Sequence, residues 1–335
     1  MQAWQYTTIK GTLENSLTLN EKATPPDAAS LPKGHVLVEV ISAGVNPVDY
    51  KIVEVPIFGR LMSQPPASPG LDFCGRVHAK HPADDSLAVG QLVFGALSIS
   101  AKLPKFGSLG QIMVAPRSHL AALPEGVLPD DAAAVGTAGL TAFQSLPRDL
   151  VKPGAKIFIN GGSGGVGSFA VQFAKVLGAH VTTTSSTANV PLCRSLGADE
   201  IIDYRQVDVV EALKAKGQVF DLAVDNVGTP AGLYEQSDAF LKPGGTFIQI
   251  AMPSMGTMLR RSVVPACLGG PKRSYRVVTV SPNQEDLDQI GRWMAEGKVR
   301  ALIDEKLEWE DAPKAFEKVR GGRTKGKIVV HVSGV

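Results

Sequence analysis

Three cysteines among 335 residues (Cys74, Cys193, Cys267) are too few for a disulfide framework, which points to a reducing compartment. Neither sign of charge dominates: 34 basic side chains face 32 acidic ones, net +2, with no run of either. No nucleic-acid or membrane-surface partner is therefore expected. No apolar run reaches membrane length, and no signal-peptide pattern opens the chain. Internal repeats and low-complexity tracts are also missing. The expectation is a soluble, cytoplasmic protein long enough for two domains with proper cores.

Glycine, by contrast, is concentrated where it matters. Lys156 to Ala179 opens with the short apolar run Ile157-Phe158-Ile159, which reads as a buried parallel strand. The chain then breaks into Gly161-Gly162-Ser163-Gly164-Gly165-Val166-Gly167. Apolar residues at 166, 169, 170, 173, 174 and 177 follow, the spacing of one helical face. Gly162, Gly164 and Gly167 match G-x-G-x-x-G, which supplies a tight turn, a side-chain-free approach for a pyrophosphate, and close helix–strand packing. N–H groups at the helix start, with the dipole behind them, then hold the anion. Between a strand and a helix the pattern predicts a dinucleotide site.

The same residues also spell a decoy. Gly161, Ser163 and Gly165 form G-x-S-x-G, the nucleophile elbow of an α/β-hydrolase. Ser163 would then need an acid and a loop histidine later in the chain. Only His180 and His331 follow, and both fall in expected strands, so this reading stands as a remote alternative.

From Met1 to about Leu123 the signals are β-like. HVLVEVISAGV (35–45), FCGRVHA (73–79), QLVFGAL (91–97) and GQIMVAP (110–116) are set apart by glycine and proline. Residues 120–146 turn helical and bridge into the next domain. From about 125 to 281 strands alternate with helices expected at 164–178, 188–197, 207–216 and 230–241. This predicts a doubly wound parallel sheet of roughly six strands. An amphipathic helix at 284–299 and a final strand return to the first domain. The expected domains are 1–124 with 282–335, and 125–281.

SAGVNPVDYK (42–51), SPGLDFCGRV (68–77), AAAVGTAGLTAFQSL (132–146), the glycine stretch and GRTKGKIVVHV (322–332) together resemble the medium-chain dehydrogenase/reductase superfamily. The likeness is greatest to its zinc-independent quinone oxidoreductases and enoyl reductases, and it runs from first strand to last. It implies an α/β fold of a GroES-like β-rich domain and a Rossmann domain. It also implies a nicotinamide cofactor and no metal. At the positions resembling the first zinc ligand stand Val45-Asn46-Pro47, and in place of Gly-His-Glu stands Gly70-Leu71-Asp72, so zinc has no ligand set. Cys74, His78 and His81 read as a strand followed by a turn rather than a metal cluster.

The resemblance places Asn46 near nicotinamide and substrate, where an amide can hydrogen-bond a carbonyl that becomes an enolate. Tyr50 and Lys51 are candidate proton donors. The bland alternatives are a simple turn for Asn46-Pro47 and surface roles for the other two. Asp49 reads as a cap for the following turn.

A strand ending in an acid about 20 residues past the glycines favours NAD. Here Ser185, Ser186 and Thr187 leave room for a 2′-phosphate, and NADPH is favoured; Ala188 and Asn189 stand where relatives commonly add a Lys or Arg, a departure that either weakens NADP affinity or shifts the cation to Arg194 or Arg205. Tyr204 resembles a family tyrosine that touches this phosphate. The expected cofactor-binding set is Thr137, Gly162, Ser163, Gly164, Gly165, Val166, Gly167, Ser185, Ser186, Thr187, Tyr204, Asn226, Val227, Ile250, Ala251 and Lys327. Met255, Met258, Leu259 and Arg260-Arg261 either line the substrate site or pack on the neighbouring domain.

These readings converge on a zinc-free, NADPH-dependent reductase that passes hydride to an activated C=C bond (enoyl or enone) or to a quinone. With only 6% aromatic residues, an aliphatic enoyl or enone acceptor is slightly favoured over a quinone. The alternative is a non-catalytic NADPH-binding sensor or scaffold. The sixth strand, YRVVTV, either pairs across a homodimer axis or is covered.

Overall fold

The computed structural model describes residues 1–84, 86–99, 102–250, 257, 261 and 273–333. Two compact units divide the chain: Met1–Leu140 with Val280–Val335, and Thr141–Thr279.

In the first unit, β1 (Ala3–Gln5) and β2 (Thr18–Asn20) pair as an antiparallel ribbon. The alternating segment 35–45 forms β3 (His35–Val45), whose single exposed residue is Glu39. Asn46 then ends the strand and Pro47, tolerated in a first helical turn because its missing N–H would be unpaired anyway, opens α1 (Pro47–Glu54). After α2 (Phe58–Met62) come β4 (Asp72–Lys80), β5 (Leu92–Ala96), β6 (Ile112–Pro116) and β7 (Leu120–Ala122). Residues 120–146, expected as one helix, instead give β7, a turn, α3 (Pro129–Ala133) and α4 (Gly136–Gln144). Pro124, Gly126 in the left-handed region (φ 80°) and Pro129 interrupt the helical spacing. Because α3 packs on β3, β4 and β5, the first unit extends to Leu140, past the boundary expected after Pro124.

The second unit carries β8 (Lys156–Asn160), α5 (Gly165–Val176), β9 (His180–Ser185), α6 (Val190–Ser195), β10 (Glu200–Asp203), α7 (Val209–Lys216), β11 (Phe220–Asp225), β12 (Leu241–Gln249) and β13 (Ser274–Val277). All are parallel in the order β10-β9-β8-β11-β12-β13. This is the doubly wound order, whose switch point lies between β8 and β11. The helix expected at 230–241 is absent there: Pro230 and left-handed Gly232 (φ 81°) break it into turns and one short 3₁₀ turn at Ser237–Ala239. Phe158, Phe220 and Phe240 meet edge-on or tilted at 5.9–6.4 Å in the core of this unit. Such pairs contribute about 0.5–1.5 kcal/mol each beyond their burial.

The chain returns to the first unit with α8 (Gln284–Ala295), β14 (Ile303–Leu307), α9 (Ala312–Arg320) and β15 (Lys327–His331). There the sheet runs β14-β15-β3-β4-β5-β7, with β6 also on β3. Ile328 lies opposite Val45 and Gly44 opposite both Val329 and Asp72. That register brings Lys327, Asn46 and Asp72 together at one end of three strands.

Candidate functional site

In the first unit a buried polar cluster forms at that strand end. Asp72 is fully buried, and each oxygen of its carboxylate is used twice. Oδ1 accepts from the Thr137 N–H (2.7 Å) and hydroxyl (2.6 Å); Oδ2 accepts from Asn46 Nδ2 (2.8 Å) and Lys327 Nζ (3.3 Å). Lys327 Nζ also donates to the Val45 carbonyl (3.1 Å) and to Asn46 Oδ1. The Asn46 side chain is thus held at both ends. Two glycines make room for this: a Cβ on Gly136 would lie 2.2 Å from Asp72 Cγ, and one on Gly44 would lie 2.3 Å from the Ala133 carbonyl oxygen. Lys327, expected in the cofactor-binding set, is 3% exposed, with its ammonium engaged by this cluster. Lys327 opens β15, whose first four residues are all buried, so its side chain is enclosed with the strand.

Asp49 caps α1 as expected, its Oδ2 accepting the Asn46 N–H at 2.7 Å. Yet it is 5% exposed, and its pKa is pushed up to about 8. Burial is the main cause and the Asp72 charge the second, against the pull of the Asn46 N–H, Lys327 and the Leu71 N–H. Tyr50 is buried in the apolar core, with the Arg320 guanidinium 4.0 Å from its ring centroid. Burial raises its pKa. Lys51 is exposed. Neither is among the partners of the polar cluster.

In the second unit the three glycines of the turn have three distinct environments. A Cβ on Gly162 would meet Thr183 Oγ1 at 2.3 Å, and one on Gly167 would meet the Gly161 carbonyl oxygen at 1.9 Å. Both are required by the protein's own packing. Around Gly164 the nearest atom to such a Cβ is 3.9 Å away, so no protein atom needs that space. Gly164 precedes the first turn of α5 and leaves its N–H groups uncovered by a side chain. This is the cradle that a pyrophosphate fits.

Beside the turn, Asn189 Nδ2 donates to Ser163 Oγ (3.1 Å). Ser185 is buried, Ser186 half-buried and Thr187 exposed. The Tyr204 N–H bonds the Ser185 carbonyl (3.1 Å), which sets half-exposed Tyr204 and its neighbour Arg205 next to the hydroxyl group cluster. The first acid downstream, Asp199, is already paired with Lys175 at 2.8 Å.

A continuous polar chain crosses the carboxyl ends of four strands. The Gly161 N–H bonds Thr184 Oγ1 (2.8 Å), which donates to Asn160 Oδ1 (2.6 Å); Asn160 Nδ2 donates to Asp225 Oδ1 (2.8 Å). Gln249 Nε2 donates to Asp225 Oδ2 (3.0 Å), and Arg261 Nη1 to Gln249 Oε1 (2.7 Å). Arg261 pairs with Glu235 at 2.8 Å, its guanidinium 5.4 and 5.8 Å from the Tyr234 and Tyr275 rings. Asp225 also accepts the Val227 and Gly228 N–H groups, fixing the loop that holds Asn226 and exposed Val227. Sequence reading missed this chain because its members look like isolated polar strand ends. Ile250 is half-buried, its N–H on the Asp225 carbonyl. Ala251, Met252, Pro253, Met255, Met258, Leu259, Arg260 and Cys267 lie outside the described residues.

At the zinc-like positions, Asn46 and Asp72 are hydrogen-bonded to each other and to Lys327. Cys74 is buried, its thiol pushed up to about 12 by burial; His78 is exposed and His81 Nδ1 accepts the Ala83 N–H. For a hydrolase, His180 is at the wrong end: it pairs with Lys156 at the start of β8, opposite the Ser163 turn.

A β-rich unit and a doubly wound parallel-sheet unit with a glycine turn at a helix start make up the architecture of a two-domain α/β dehydrogenase fold. Residues 32–125 match the alcohol dehydrogenase GroES-like domain, and residues 196–330 match the zinc-binding dehydrogenase model. The chain is 46% identical to the trans-enoyl reductase pgmF of Aspergillus terreus, over 99% of this chain and 96% of that one. It is 33% identical to the 2-methylene-furan-3-one reductase of Solanum lycopersicum, over 99% and 79%. The solved quinone oxidoreductase of Coxiella burnetii superposes with a TM-score of 0.85 at 28% identity, covering 99% of both chains. The chain belongs to the medium-chain dehydrogenase/reductase superfamily, in its quinone oxidoreductase and enoyl reductase-like branch.

Proposed function

We propose that the protein is a zinc-independent, NADPH-dependent reductase of activated C=C bonds, with enones or enoyl thioesters as acceptors. The observation that carries this is the Asn46–Asp72–Lys327–Thr137 cluster, which fills the zinc-like positions with hydrogen-bonded groups instead of ligands. The relatives named trans-enoyl reductase and 2-methylene-furan-3-one reductase support the acceptor class.

When bound, reduced nicotinamide supplies the hydride. Gly164 and the α5 N-terminus would hold its pyrophosphate, while Ser185, Ser186, Tyr204 and Arg205 would surround a 2′-phosphate. Asn226, Val227 and Ile250, at the carboxyl ends of β11 and β12, would complete the nucleotide site. In the first unit, Asp72 and Lys327 fix the Asn46 amide so that it need not reorganise. An amide held this way can stabilise charge on the acceptor's oxygen, a donor contribution of about 3 kcal/mol. Thr137 is the half-buried, outermost member of this cluster.

Oxidation of NADPH against a panel of enones, enoyl thioesters and quinones tests the reading. Turnover of enones or enoyl thioesters is expected, and Asn46→Ala should lower kcat about 100-fold with little change in NADPH affinity. Tight NADPH binding without turnover of any acceptor would favour a sensor instead.

A further inference from the structure

A small cavity lies wholly within the first unit, beside the buried cluster. Its walls include Val48, Ile52, Val53, Leu71 and Leu103, and its volume is about 20 Å³. That is room for roughly one water molecule and no organic ligand. Two side-chain oxygens in its lining have no hydrogen-bond partner: Asp49 Oδ1, whose sister Oδ2 takes the Asn46 N–H, and Ser68 Oγ. They are 5% and 4% exposed. Unpaired buried polar atoms around a water-sized space mark a site for bound water.

We propose that this cavity is a proton-supply site, in which the carboxylic acid of Asp49 delivers its proton through one water held between Asp49 and Ser68. The inference rests on the alkene-reductase reading and names the proton source that reading leaves open. The residues of α1 point the same way. Tyr50 is buried in apolar surroundings with a cation on its ring, and Lys51 is exposed. Of the residues of α1, Asp49 alone is an acid that lines the cavity. The groups facing it are Asp72 from β4, Lys327 from β15 and Tyr6 across the cavity. Asp72 and burial together keep its proton on near neutral pH, and Tyr6 stays neutral because burial raises its own pKa.

The step balances. Bound reduced nicotinamide would supply the hydride for the C–H bond at the β-carbon, and the C=C pair would move to give an enolate. The water's O–H breaks as a C–H bond forms at the α-carbon, and the water takes the Asp49 proton. The Asp49 carboxylate then recovers a proton from solvent.

The test compares wild type, Asp49→Asn and Ser68→Ala. Enone reduction by wild type should fall tenfold per pH unit above about pH 8, and Asp49→Asn should lower the rate about 100-fold and lose that limb. Ser68→Ala, which leaves the cap intact, should lower the rate about tenfold with the limb in place. Quinone reduction places its negative charge on oxygen, which water protonates unaided, so both variants should keep it within about twofold. Infrared spectra of the nucleotide-free protein should show a buried protonated-carboxyl band at pH 6 that Asp49→Asn lacks. An unchanged pH limb in Asp49→Asn, equal loss of quinone and enone reduction, or no such band would overturn the proposal alone. Wild type that reduces no alkene would overturn the parent reading, and the proton role with it.

Discussion

Asp49 shows how one carboxyl answers to its surroundings. An unfolded chain gives up this proton near pH 4, whereas the folded protein holds it to about pH 8. The group's contribution to stability is therefore fully present below about pH 4 and is lost as pH rises through about 8, by up to a few kcal/mol. Chemical denaturation of wild type and Asp49→Asn at pH 5 and pH 8 checks the sign. Wild type should lose stability relative to the variant across that interval; no change would mean that Asp49 is already ionised at pH 5 in the folded protein. Sequence reading identified Asn46 through its place in the family motif and Asp49 through its cap spacing. It did not identify Asp72 as the hub, because that role comes from strands β3, β4 and β15 meeting, residues far apart in the chain.

At the scale of elements, the strand–turn–helix around 156–176 was legible because its constraints are local: apolar run, glycine spacing, helical face. What the structure adds is which glycine serves the fold and which leaves space for a ligand. Gly164→Ala should fold with nearly wild-type stability but bind nucleotide at least tenfold more weakly, since its Cβ enters open space at the cradle. Gly167→Ala should be destabilised by about 1–3 kcal/mol, since its Cβ strikes the Gly161 carbonyl. Thermal melts with and without nucleotide separate the two; equal behaviour would contradict the division of roles. The expected helix at 230–241 failed for a reason that is also local. Helical periodicity does not survive Pro230 and a left-handed Gly232 so close together.

For the whole molecule, the six-stranded parallel sheet of the second unit followed from alternating strand and helix signals, and the β-rich first unit from short, punctuated β segments, while the strand orders come from the structure. β13 forms an edge of the parallel sheet among the described residues, and a homodimer through that edge remains our proposal. The zinc-free proposal is a whole-chain statement as well, since the family's ligand positions come from separate segments. Metal analysis of purified protein should find no stoichiometric zinc; one zinc per chain would contradict it.

Titration of the protein with NADPH and NADH, followed by nicotinamide fluorescence and repeated on Gly164→Asp, addresses the account most directly. NADPH should bind at least tenfold more tightly than NADH, and Gly164→Asp should bind neither while remaining folded. No binding of either nucleotide by wild type, or undiminished binding by Gly164→Asp, would contradict it.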